Sequence, residues 1–468
     1  MHRRPRLTQG PVASTLLRLT LPMFVAMGAM MGFNIVDTFF IGQLGTEQLA
    51  AMGFTIAVVM AASSINMGLG VGTTAVVSKV IGRGDYDAAR RLTMDAVFLG
   101  IAVSLVLVVA GLLTVDPLFR AMGATDRVLE YVKQYMVIWY IGLPLIVMPQ
   151  IGNSGIRATG DTKTPAKIMI IAMLCNAVLD PLFMFGIGPF PELGIAGAAA
   201  ATVTTYAIAL ALSARALAQR GLFSLERRPF SDTLASWRTI MGIGVPAAVT
   251  QLIAPISTGV VTAVVAGYGV AAVAGFGVAS RLEMFVFMFV MAMGAALVPF
   301  VGQNWGAGHK ERVKAAVRVG VTYAMAWGVV AWLIALAFGA PIAAVFNSDP
   351  AVVRVVTGYL TIVFPSLTLL GALLVVSQSF NALHRPMRSM ALSVLRMFVL
   401  YVPLAYAGSA LFGLAGVWWA AFTANIIAGV VAIGWFRYSF ARMDAEETGT
   451  PLDTTGSGPL VVAGELEG

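Results

Sequence analysis

The stretch TLLRLTLPMFVAMGAMMGFNIVDTFFI, residues 15–41, has one basic residue near its start, Arg18, and one acid near its end, Asp37. As a helix at about 1.5 Å per residue it outreaches the ~30 Å hydrocarbon core of a bilayer. Signal-peptide cores are shorter, so this segment, following the basic Met1-His-Arg-Arg-Pro-Arg6, reads as an uncleaved first span. Working outward from it, comparable stretches at 47–72, 92–114, 131–156, 165–187, 194–214, 238–265, 270–300, 315–340, 352–380, 389–411 and 414–436 predict twelve spans in all. Prolines inside them, such as Pro22, Pro144, Pro246 and Pro403, are tolerated because neighbouring helices re-satisfy the freed carbonyls.

Composition agrees. The chain is 59% hydrophobic and 11% charged, with mean hydropathy +0.86, which excludes a soluble domain of 468 residues. The net charge of +8 does not point to nucleic acid, because Lys and Arg are scattered through short loops and build no basic face. A single cysteine, Cys175, rules out an intramolecular disulfide and a cysteine-rich metal site.

Loop charges test the span count. With the N-terminus inside, inner loops and span edges carry 25 Lys and Arg, three of them (Arg385, Arg388 and Arg396) between spans 10 and 11. The outer side carries four, Arg120, Arg127, Lys133 and Arg354, which leaves Arg281 as the one cation expected deep in a span. This alternation follows the positive-inside pattern and puts both termini in the cytoplasm.

The expected organisation is a cytoplasmic N-terminus (1–14), a six-helix half (15–215), a linker (216–237), a second six-helix half (238–440) and a disordered acidic tail (441–468). The halves are related by an offset of 224 residues. Pro22 falls on Pro246, Gly45 on Gly269, Gly53 on Gly277, Gly70 on Gly294, Gly82 on Gly306 and Gly84 on Gly308. Further on the offset drifts to 219, where Gly194-Ile-Ala-Gly197 matches Gly413-Leu-Ala-Gly416. Six spans per repeat make the repeats parallel, so the pseudo-two-fold axis lies along the membrane normal. The fold class is therefore all-α integral membrane, twelve helices in two pseudo-symmetric six-helix bundles, with a substrate path between them.

Asp37, Asp180 and Glu283 are the acids well inside spans, while Asp95 sits near the inner end of span 3. A charge at that depth costs roughly 2.5–3.5 kcal/mol even on a lenient scale, so such an acid must be neutral, paired or ion-bound. Asn176 lies one turn before Asp180 on the same face. Helix rise puts Asp180 and Thr202 at similar depth, with Asp37 in the same outer half. Arg281 and Glu283, two apart, point to different faces, each towards a partner that sequence does not name. His309 and His384 read as solvated loop residues, and Gly68-x-Gly70-x-Gly72 as a close-packing stripe. No nucleophile–base or metal-ligand constellation supports an enzyme, and no resident cofactor is expected.

Several motifs together resemble those of the multidrug and toxic compound extrusion (MATE) family. They are Asn34-Ile-Val-Asp37-Thr-Phe-Phe-Ile-Gly42, Arg157-Ala-Thr-Gly-Asp-Thr-Lys-Thr-Pro165, Asn176-Ala-Val-Leu-Asp180-Pro-Leu-Phe183, Gly194-Ile-Ala-Gly-Ala-Ala-Ala-Ala-Thr202 and Gly302-Gln-Asn-Trp-Gly-Ala-Gly308. The resemblance covers roughly residues 10–440. It implies a V-shaped pair of bundles that exports drugs in exchange for an inward cation, H⁺ or Na⁺. It also implies a cation site at Asp37, Asn176, Asp180 and Thr202, with the Ala198 backbone contributing. Phe33, Asn34, Gln150, Asn153, Gln251, Arg281 and Glu283 are candidates for the substrate cavity. Phe33 stands where many relatives have tyrosine, and Val261 aligns with Asp37 in the second half. Spans 7 and 10 hold no acid, which resembles the DinF-like branch and predicts that the first half senses the cation. The expected setting is a bacterial inner membrane, the expected state a monomer, and the partners small organic substrates and lipid. The alternatives are a flippase for lipid-linked or amphiphilic substrates, and a channel or non-transporting receptor.

Overall fold

The computed structural model describes residues 7–224 and 229–448. Eleven helical runs in it are long and apolar enough to cross a membrane. The first six helices are α1 (Val12–Leu44), α2 (Thr46–Gly82), α3 (Tyr86–Ala121), α4 (Asp126–Ala158), α5 (Lys163–Met184) and α6 (Ile195–Gln219). Next come α7 (Phe230–Ala266), α8 (Val270–Gly306) and α9 (Lys310–Phe346). The tenth run joins α10 (Pro350–Val363) to α11 (Leu367–Ala382) through a 3₁₀ turn at Phe364–Ser366. The eleventh joins α12 (Pro386–Val394) to α13 (Val402–Thr448) through a π-helical segment at Leu395–Tyr401.

That last run is not one rod. Gly413 has φ 61° and ψ −147°, outside helical space. A Cβ on Gly408 would lie 2.4 Å from the Gly416 carbonyl oxygen. In a continuous helix these residues would be about 12 Å apart along the axis, so the chain doubles back here. Gly194, its repeat equivalent, opens α6 with φ 56° and ψ −133°. Glycine is needed at both positions because a side chain would clash in this conformation.

Most helices run one to two turns past the spans expected from hydropathy, α3 and α9 most clearly, because the polar ends of long helices still satisfy their own backbone. The expected linker at 216–237 is largely helical, since α6 ends at Gln219 and α7 starts at Phe230; residues 225–228 lie outside the described ones. Of the expected disordered tail, 441–448 continues α13, and 449–468 lies outside the described residues.

Within the first half, α4 packs on α2, α3 and α6, and α5 on α1 and α6; within the second, α8, α9, α10 and α11 pack together and α11 meets α13. The halves meet through α2 against α7 and α8, and through α1 against α8. These contacts cluster at the end carrying Leu7 and the α2–α3, α4–α5 and α8–α9 turns, called here the basic face. There the Leu7 amide donates to Gln303 Oε1 at 3.2 Å, and Gln303 Nε2 donates to the Ala158 carbonyl at 2.7 Å. Gly68 and Gly72 let α7 approach closely, as a Cβ on Gly72 would stand 2.6 Å from the Ile240 carbonyl oxygen. At the opposite end the Tyr268 hydroxyl donates to the Ser409 carbonyl at 2.9 Å, and Arg127 pairs with Glu47 at 2.8 Å.

His384 departs from the solvated reading. It turns the α11–α12 corner with φ 60°, half-buried, and its Nε2 is enclosed without a partner. Burial, with Lys79 and Arg83 nearby, pushes its imidazole pKa down to about 4. His309 is exposed, as expected.

Candidate functional site

The first cluster forms where α5 packs between α1 and α6. Gly32 admits Met173 against α1, and Asp37, one turn further along, is only 5% exposed. Asn176 and Asp180 are both fully buried on one face of α5, and Asn176 Nδ2 donates to Asp180 Oδ1 at 2.9 Å. This leaves Asp37 Oδ1, Asp180 Oδ2 and Asn176 Oδ1 enclosed without hydrogen-bond partners. Native interiors rarely orphan polar oxygens, and three hard acceptors together suit a proton or a small cation. Ala198 and Thr202 are buried on α6, which runs along α5, with the unpartnered Thr205 hydroxyl one turn on.

One tyrosine belongs here that sequence reasoning missed. Tyr135 on α4 is buried within electrostatic reach of Asp37, Asp180 and Tyr206 of α6. In an apolar span an aromatic ring looks like ordinary core, so only the polar neighbours distinguish it.

The second feature is the cleft where the halves part. Helix faces that touch at the basic face can be followed away from it at helical spacing. On α8, Gly302 and Gly306 meet α2; the same face continues through Ala295, Met291, Met288 and Met284 to Arg281. Met291 is 41% exposed, Met284 58%, and Arg281 is exposed as well. On α7, Ile240, Gly244 and Ala248 meet α2, and the face continues through Gln251, Pro255, Thr258 and Thr262. On α1, Thr20 and Phe24 touch Met293 and Phe289, and the face continues through Met31 and Ile35 to Thr38. Beyond the contact zone each face gains exposed positions, Pro255 and Thr258 on α7, Met291 and Met284 on α8, Ile35 and Thr38 on α1, which describes a cleft closed at the basic face.

The expected cavity residues divide accordingly. Arg281 and Gln251 lie on cleft faces, and Gln251 Nε2 reaches Met67 Sδ at 3.6 Å. Asn34 is exposed but returns its amide to the Met30 carbonyl, and Phe33 and Gln150 are half-buried. Asn153 is placed elsewhere, on the α4–α6 seam, where its Oδ1 accepts from Ser213. Asp95 is buried on α3, and its carbonyl accepts from Trp237 Nε1 at 2.8 Å.

Glu283 turns into the second half, where its carboxylate accepts a hydrogen bond from the Tyr359 hydroxyl. Arg396 lies within electrostatic reach of Glu283, Tyr359 and Tyr401. Its guanidinium donates to Asn425 Oδ1 at 2.9 Å, and Asn425 in turn donates to Ser366 Oγ at 2.9 Å. Arg281 is therefore not the only deep cation, and Arg396 does not belong to a loop. Sequence put it near an end because it lies only seven residues inside its expected span, and its partners come from other helices.

The comparisons with known proteins fit this arrangement. The MatE family model matches residues 22–182 and again 246–407, two copies whose starts lie 224 residues apart, the offset of the internal repeat. The FAD transporter of Shewanella oneidensis is 36% identical over 92% of this chain and 95% of its own length. The multidrug export protein MepA of Staphylococcus aureus is 24% identical over 91% of this chain and 93% of its own. The crystal structure of the Vibrio cholerae MATE transporter VcmN in the bent form superposes with TM-score 0.88 at 31% identity, covering 93% of this chain and 98% of that one. With two matched repeats, eleven long apolar runs and a cleft between the repeats, the chain belongs to the MATE family of membrane transporters.

Proposed function

We propose that this protein is a secondary active antiporter that exports organic compounds in exchange for inward H⁺ or Na⁺. The observation that carries the reading is the set of enclosed, partnerless oxygens on Asp37, Asn176 and Asp180. A cation or proton would bind there, with Thr202 and the Ala198 carbonyl completing the donors, and no other cofactor takes part. Its inward movement gains ~2.3 kcal/mol per 100 mV of membrane potential. It moves the in/out equilibrium by its differential affinity for the two states.

In this reading the run broken at Gly413 counts as two spans, giving twelve in two six-helix bundles, 15–215 and 238–440. Both termini face the cytoplasm of a bacterial inner membrane, the basic face is cytoplasmic, and one chain suffices. The cleft is then open outwards, and rocking about the α2–α8 seam exposes it to the other side. The absence of acids from spans 7 and 10 supports a DinF-like reading of the branch.

Relatives suggest two cargo classes. MepA is named for multidrug export, and the Met-lined cleft faces suit varied apolar shapes. The more similar Shewanella protein is named an FAD transporter, which makes a flavin nucleotide the second reading. Transport in proteoliposomes with a pH or Na⁺ gradient imposed one at a time tests the antiport. Uphill movement with one gradient and none without it is expected; passive conductance alone would sink the idea.

A further inference from the structure

Among the described residues, the continuing cleft faces of α1, α7 and α8 carry one charged side chain, Arg281. It is exposed and makes no hydrogen bond or ion pair among the described residues. Counted from Val270, it lies about 16 Å along α8, near the middle of the expected bilayer. A guanidinium at that depth is costly against lipid, and it is tolerated where a cavity admits water or an anion. Glu283, two residues on, cannot serve as its partner, because it points into the second half and is bonded to Tyr359. Asp37 and Asp180 are no counter-ions either, being buried inside the first bundle and off the cleft face. The charge these faces present is therefore positive, while one turn beyond Arg281 the same face of α8 offers the apolar, polarizable side chains of Met284, Met288 and Met291.

We infer that Arg281 is an anion-binding subsite of the cleft, taking the phosphate or carboxylate of a substrate whose planar apolar body rests on the methionine face. This deepens the export reading and rests on it. A planar fork of five donors is suited to a bidentate grip on such a group. A permanent cation placed in the same cleft would be repelled.

Riboflavin and flavin mononucleotide differ by one phosphate, so together they isolate the subsite. Full-length protein in proteoliposomes, under the gradient that drives it, should prefer the mononucleotide. In Arg281→Gln the mononucleotide-to-riboflavin rate ratio should fall about tenfold, the scale of one lost charge-assisted contact. Arg281→Lys should keep part of the preference, and high salt should erode it in the wild type. Equal loss of both rates, an unchanged ratio, or wild-type export of ethidium without the mononucleotide would each overturn the inference. If wild type moves no probe under any gradient, it is the export reading that fails. Equilibrium quenching of flavin fluorescence in detergent then decides the subsite, and equal affinity of wild type for the two flavins refutes it.

Discussion

Ser78 of α2 and Gly302 of α8 stand at equivalent positions of the two repeats, 224 apart, and they touch: a Cβ on Gly302 would lie 1.9 Å from Ser78 Oγ. The flanking contacts are reciprocal. Gly82 packs on the Gln303 carbonyl and Gly306 on the Lys79 carbonyl, each with a built Cβ 2.1 Å away. The pseudo-two-fold axis thus passes between Ser78 and Gly302, where the basic face is closed. Gly302→Ala should cost about 1–3 kcal/mol through overpacking, read as a lower Tm of the purified protein. The exchanged pair Ser78→Gly with Gly302→Ser should recover most of it, because the axis makes the two sites interchangeable. Gly277→Ala, with open space around its Cβ, should cost nothing.

Asp37→Asn and Asp180→Asn should each abolish gradient-driven export while leaving the protein folded, since the amide keeps shape and loses the charge. Drug efflux from cells expressing each variant measures this. Wild-type export by both would remove the first half from the coupling.

Tyr135→Phe tests the tyrosine that sequence reasoning missed. Loss of its hydroxyl near Asp37 and Asp180 should shift the pH dependence of export with little change in Tm. An unaltered profile would reduce Tyr135 to packing.

The Glu283–Tyr359–Arg396 cluster calls for a double-mutant cycle. Arg396→Met alone should destabilise by on the order of 3 kcal/mol, leaving a buried carboxylate uncompensated. Adding Glu283→Gln should restore part of that. Strict additivity in thermal unfolding would show that the two do not interact.

His384 gives a pH prediction. Its folded pKa of about 4 lies below the usual 6.5, so between these values the unfolded chain binds more protons. Stability should therefore rise with pH from about 4 to about 6.5 and fall again on acidification, on account of this residue. His384→Gln should flatten that part of the Tm-versus-pH curve.

How much was legible varies with the physics behind each feature. The spans from Val12 to Ala382 were readable because a bilayer demands long apolar runs and tolerates little else. The repeat was readable because glycines at turns and helix crossings recur where backbone geometry excludes side chains, as at Gly194 and Gly413. Asn176 and Asp180 could be paired from spacing alone, since i,i+4 residues share a helix face.

Arg396 could not be placed, because its surroundings, Asn425 of α13, Glu283 of α8 and Tyr359 of α10, are brought together only in the packed bundle. Nor could Asn153 be assigned to the α4–α6 seam or Tyr135 to the carboxylates, because which face of a helix meets which neighbour is decided by the whole bundle. Sequence alone determined that this chain crosses a membrane as two related halves and keeps most of its buried carboxylates in the first. Only the tertiary structure decided that those halves close on Ser78 and Gly302, and that Arg281 faces the cleft while Glu283 and Arg396 come within electrostatic reach of one another. Periodicity is a local property of the chain, whereas the partner of a side chain is a property of the assembled helices.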